Sequence, residues 1–154
     1  MTPDEYREIL SEVSVTVLED AAFLFVEPTA RNITWNGEVI EANLSLTGPR
    51  SALLTLAATK ELGIELAANL LGLDEDEASS IEKPAEASLA EMLNMIAGPL
   101  AAEWFGSDID CKIGVPTTVT KTGSSLKRKT DAESCSVILV TDEGDPIELT
   151  ASFS

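Results

Sequence analysis

The sequence predicts an α+β fold, a single domain over residues 1–154 with helices packed on a largely antiparallel sheet. Three observations carry that prediction. Apolar residues recur at helical spacing near the N-terminus and again through the middle of the chain. Strand-like alternation appears in EVIEANLSL and IELTASF, where Ile147, Leu149, Ala151 and Phe153 alternate with Glu148, Thr150 and Ser152. The signals run in the order helix, strands, helix, helix, strands, with the strands grouped rather than alternating with helices.

Thr2-Pro3-Asp4-Glu5 is a helix start, with Thr2 as cap, Pro3 at N1 and Glu5 closing a capping box. Ile9, Leu10, Val13, Val17 and Leu18 form its apolar stripe, and Pro28 ends the segment. Pattern alone leaves open whether Phe23 to Val26 are helix or strand. Asn36-Gly37 between NITW and EVIEANLSL reads as a type I′ hairpin, and Gly48-Pro49 as a second turn before a strand over Ser51 to Ala58. Thr59 caps a second helix that Gly72 terminates. LDEDEASS reads as a solvated acidic connector. A third helix starts near Ser80 or Pro84 and ends near Phe105 and Gly106, with Pro99 expected to kink or break it just after Asn94. A short strand at Cys111 to Val115 and the strands SCSVILVT and IELTASF complete the order.

Charge and composition narrow the function. The 27 Asp and Glu against 10 Lys and Arg give a formal charge of −17, which repels nucleic acid and anionic membranes. No run approaches the ~20 apolar residues of a membrane span, and the acidic N-terminus MTPDEYREIL lacks a signal-peptide pattern, so a cytoplasmic protein is expected. The chain has no histidine, which removes the commonest general base and metal ligand. Cys111 and Cys135 fit no zinc spacing and read as reduced core thiols; no metal site of its own is expected. Lys127-Arg128-Lys129, the one basic cluster, reads as a charged loop or strand edge.

Glu91 and Asn94 are the most informative residues. Spaced i, i+3, they share one face of the third helix among Leu89, Met92, Leu93, Ile96 and Leu100. No other Asn has a Glu three positions before it. Such a pair alone is ordinary helix surface. Here the helix carries no other charge between Glu91 and Glu103. Small residues Ala87, Ser88, Ala90, Ala97 and Gly98 would also let another surface approach closely. A carboxylate can hold a cation on a partner while a carboxamide orients a water.

AEMLNMIAGPLA, with Pro116 in VPTTV 22 positions after Asn94, resembles the CheC/CheX/FliY group of chemotaxis phosphatases, and within it the single-site CheX-like proteins. SALLTLAATKELGIELAANLLG resembles the strand and helix that precede their active helix. The resemblance implies hydrolysis of the phosphoaspartate of a phosphorylated CheY-type response regulator. Asn94 would orient the attacking water and Glu91 would pair with the regulator's lysine, with Ser88, Gly98 and Pro116 at the partner surface. The Mg²⁺ would belong to the regulator, no cofactor to this chain, and a homodimer is implied. The sequence departs from the family pattern at Ala87, Leu93 and Pro99. The alternative is a non-catalytic binding module of a chemotaxis or flagellar-motor complex.

Overall fold

The computed structural model describes residues 1–31, 33–35, 37–122 and 133–154. Helix α1 (Pro3–Ala22) is followed by strands β1 (Val26–Thr29), β2 (Glu38–Thr47) and β3 (Ala52–Thr59). Helices α2 (Lys60–Leu71), α3 (Glu75–Ser79) and α4 (Pro84–Phe105) come next. Strands β4 (Lys112–Ile113), β5 (Thr117–Thr122), β6 (Ser134–Thr141) and β7 (Pro146–Phe153) close the chain. The predicted class holds: helices on an open, antiparallel sheet.

The strand order is β1-β6-β7-β3-β2, with β4 and β5 one after the other along the outer edge of β2. Along β2, Ile40, Ala42, Leu44 and Leu46 are buried. Across the register they meet Ala58, Leu56, Leu54 and Ala52 of β3, so both strands turn one apolar face toward the helices. α4 lies against β2 and β3, and α1 against β6 and β1. The other sheet face carries Asn43, Thr55, Thr150 and the exposed Leu53.

Local signals explain most element ends. The Thr2 hydroxyl accepts from the Glu5 amide at 3.2 Å, and the Glu5 carboxylate accepts from the Thr2 amide at 3.3 Å. α1 ends at Ala22, where Phe23 takes a left-handed conformation with φ of 52°. That settles the open choice at Phe23 to Val26: a turn, then strand from Val26. Thr59 caps α2 and Gly72 ends it at φ of 67°.

Three expectations are corrected. Residues 33–35 form no strand arm; Trp35 instead buries against Val39 and Ala57 on the sheet face away from the helices. β1 pairs with β6. Asn36 of the expected turn lies outside the described residues, as does Lys127-Arg128-Lys129. The acidic connector contains α3, because Asp74 and Glu77 form a capping box and three acids occupy its first turn. α4 is not broken at Pro99. A mid-helix proline costs ~3 kcal/mol. The buried side chains of Leu89, Met92, Leu93, Ile96 and Leu100 stabilise the helix by roughly 1.5–3 kcal/mol each, which outweighs it. Cys135 is buried and Cys111 half-buried, and both are free thiols.

α4 is anchored at both ends. Near its start, Gly63 of α2 packs so closely that a Cβ there would lie 2.6 Å from the Ala85 Cβ and 2.9 Å from its Cα. The Ser88 hydroxyl donates to the Gly63 carbonyl at 2.6 Å across the same contact. Near its end, the Trp104 indole N–H donates to the Tyr6 carbonyl at 3.3 Å, so α1 begins where α4 finishes. The Asn69 amide of α2 donates to the Ala22 carbonyl at 2.8 Å, tying α2 to the end of α1.

Gly63→Ala is expected to destabilise the protein by about 1–3 kcal/mol in chemical denaturation, because overpacking exceeds the ~1 kcal/mol gain in helix propensity. Ala85→Gly in the same chain should restore part of the loss. A second expectation concerns Glu65 on α2. Burial first, then repulsion from Glu143, Asp145 and Glu75, raise its pKa above 4.5. The folded state therefore binds that proton more tightly than the unfolded state. Stability falls as pH rises from 4.5 through the raised value. Glu65→Gln should raise the melting temperature near pH 7, with the gain shrinking toward pH 4.5.

Candidate functional site

The burial pattern of α4 isolates one strip of surface. Ala85, Ser88, Leu89, Met92, Leu93, Ile96, Ala97, Leu100, Ala101 and Trp104 are buried. Ala87, Glu91, Asn94 and Ala102 are exposed, with Gly98 half-buried between them. Positions 87, 91, 94, 98 and 102 follow the i, i+4, i+7 rhythm of a single helical face. Apart from Glu91 and Asn94, this row is Ala, Gly and Ala. Two polar side chains therefore stand on a low, smooth ridge.

Among the described residues neither Glu91 nor Asn94 is engaged in a hydrogen bond or ion pair. Their i, i+3 spacing puts the Cβ atoms ~5–6 Å apart. The carboxylate can accept from a cation, and the carboxamide can both donate to and accept from a water. What the two side chains lack in their own chain is a partner to complete their polar contacts.

The structure separates the other expected site residues. Gly98 belongs to the exposed row and leaves open space, with nothing within 4 Å of a Cβ built on it. Ser88 does not face a partner: it is 4% exposed, and its hydroxyl is occupied by the Gly63 and Ala85 carbonyls. Its position between Ala87 and Glu91 is taken by the α2–α4 contact, so its role there is to hold the helix. Pro116 is half-buried in the connection between β4 and β5, at the sheet edge beside α4, and next to Val115, which is 86% exposed. It lies on a different element from the pair, in the loop that leads into β5.

Two residues of the region were not singled out as contacts by sequence reasoning. Met95 and Pro99 follow Glu91 at i+4 and i+8, half-buried and exposed respectively. Their spacing from Glu91 was the available signal, masked by reading Pro99 as a helix breaker.

Two open grooves among the described residues lie elsewhere. One of about 1020 Å³ is lined by β1, the start of α2 and the β6–β7 turn, and one of about 970 Å³ lies between α1 and β6. Neither includes an α4 residue. The pair stands exposed on a helix face outside both grooves, where it can meet another macromolecule. Among the described residues no group of three or more His, Cys, Asp and Glu is arranged to hold a metal ion. Among the described residues no helix is long and apolar enough to cross a membrane.

Comparison with known proteins bears on the fold and the family. Among curated proteins, none matches the chain. The chemotaxis protein CheX of Vibrio vulnificus superposes with a TM-score of 0.75 at 17% identity, over 100% of this chain and 99% of that one. CheX of Desulfovibrio desulfuricans gives 0.74 at 17% identity, over 97% and 99% of the two chains. CheX of Borrelia burgdorferi, solved as a CheX–CheY–BeF₃–Mg²⁺ complex, gives 0.68 at 19% identity, over 96% and 97%. At such identities the likeness establishes the fold. The family model described as chemotaxis phosphatase CheX matches residues 40–139, which include all of α4. With that match over most of its length, the chain belongs to the CheX family of chemotaxis phosphatases.

Proposed function

We propose that this protein dephosphorylates a CheY-type response regulator in chemotaxis signalling, with Asn94 positioning the attacking water and Glu91 docking on the regulator's active-site lysine. The observation that carries the reading is the unengaged pair on the exposed row of an otherwise buried, doubly anchored helix. The family match and the solved complex of the Borrelia burgdorferi relative with CheY support the choice of partner.

The chemistry asks little of the chain. The phosphoaspartate is an acyl phosphate with a good carboxylate leaving group, so catalysis can rest on positioning. Asn94 Oδ1 accepts a water O–H and leaves an oxygen lone pair aimed at phosphorus. The new P–O bond forms as the bond to the aspartyl oxygen breaks, releasing orthophosphate and restoring the regulator's carboxylate. Glu91 holds the lysine ammonium and sets the registry in which Asn94 faces the phosphorus. The Mg²⁺ is the regulator's own and neutralises phosphoryl charge there. A strong base is unnecessary, which fits a chain without histidine. The protein acts in the cytoplasm as a homodimer formed through the sheet, a state that light scattering in solution reads directly.

The decay of a phosphorylated CheY-type regulator from the same genome, with Mg²⁺ present, tests the activity. The wild type should accelerate it. Asn94→Ala should lower that acceleration about a hundredfold while still binding the regulator. Glu91→Gln should weaken binding about tenfold, as expected for loss of one charge-assisted contact. Binding without acceleration by the wild type would leave a docking module and no phosphatase.

A further inference from the structure

Glu91, Met95 and Pro99 are spaced four apart and form one row along α4, beside Asn94. Glu91 and Pro99 are exposed and Met95 is half-buried, so the row borders solvent. In an α-helix each carbonyl accepts from the N–H four residues on. Pro99 has no N–H, so the Met95 carbonyl lacks its usual donor. Helix carbonyls point toward the C-terminal end, so this oxygen is directed toward Pro99, an exposed residue.

The core gives no reason for a proline here. Pro99 is exposed and belongs to none of the apolar clusters, while its neighbours Ala97, Leu100 and Ala101 are buried. Alanine would meet every packing demand and favour the helix, since proline is the least favourable residue in a helix interior. The feature that only proline supplies is the freed backbone acceptor. Side chains on a helix lean toward its N-terminus and carbonyls toward its C-terminus. The Glu91 carboxylate and the Met95 carbonyl oxygen are thus roughly 10 Å apart along the axis, about two turns. Asn94 lies between them.

We propose that the Met95 carbonyl is a second docking acceptor for the regulator, taking a hydrogen bond from an N–H or O–H donor on its surface. Pro99 is the positioning residue that keeps this oxygen free. The inference rests on α4 being the docking helix for a response regulator, as argued above. It deepens that reading: two acceptors on either side of Asn94 fix the regulator's tilt, where Glu91 alone fixes one point.

The test uses the full chain and a CheY-type regulator from the same genome activated with beryllofluoride and Mg²⁺. Pro99→Ala, Pro99→Gln and Pro99→Leu share only a restored N–H. All three should raise the melting temperature, show an exchange-protected amide at position 99, and weaken the regulator's Kd alike by about tenfold. Wild-type affinity in the three variants, or losses that follow side-chain size, would overturn the proposal while leaving the docking reading intact. A freely exchanging amide at 99 also overturns it, because the Met95 oxygen is then not aimed at that position. Failure of the wild type to bind overturns both.

Discussion

The structure depends on the burial of α4. This helix is apolar on nearly every side, and such a helix is stable in water only inside a protein. The sheet covers one side through β2 and β3, and α1 and α2 cover the flanks. Among the described residues what remains is one exposed strip, and the two unengaged polar side chains stand on it. The same packing that makes the core therefore presents the site. Glu91 and Asn94 inherit their rigidity from Met92, Leu93 and Ile96 beneath them, each fully buried.

Rigidity matters because the proposed chemistry is positional. A water held by one carboxamide is useful only if that carboxamide does not wander, and placement errors near 1 Å are costly in such reactions. The anchors at the two ends of α4 meet that need. Ser88 and Gly63 tie its start to α2, and Trp104 ties its end to α1. Between them the helix tolerates Pro99 without interruption. A proline that packing alone would disfavour is then affordable at the surface, where it alters the backbone's hydrogen bonding and leaves the core untouched.

The charge distribution is consistent with a protein that docks rather than encloses. A net charge of −17 disfavours phosphate-rich polymers and favours cationic features on a partner. The charge has an internal cost, visible at Glu65, where neighbouring carboxylates and burial together oppose ionisation. On the exposed row of α4 the only acid is Glu91, so repulsion between like charges does not blur a single contact.

Periodicity and capping made much of the fold legible in the sequence. Thr2, Thr59, Gly72 and Gly106 mark helix ends through local backbone chemistry, and alternation in β2 and β7 reports a sheet with one buried face. The Glu91/Asn94 pair was legible for the same reason: i, i+3 spacing places two residues on one face whatever surrounds the helix. Tertiary structure alone decided which face that was. Ser88 and Glu91 are three apart on the same helix, yet one is sealed against α2 and the other is open, because contact with Gly63 and not spacing sets burial. It also decided that Trp35 folds onto the sheet instead of pairing beside β2, since burying an indole outweighs a turn preference. Pro99 shows the division most clearly. Its missing N–H is a property of the residue, but whether that breaks a helix or frees an acceptor at a surface depends on side chains contributed by β2, β3, α1 and α2.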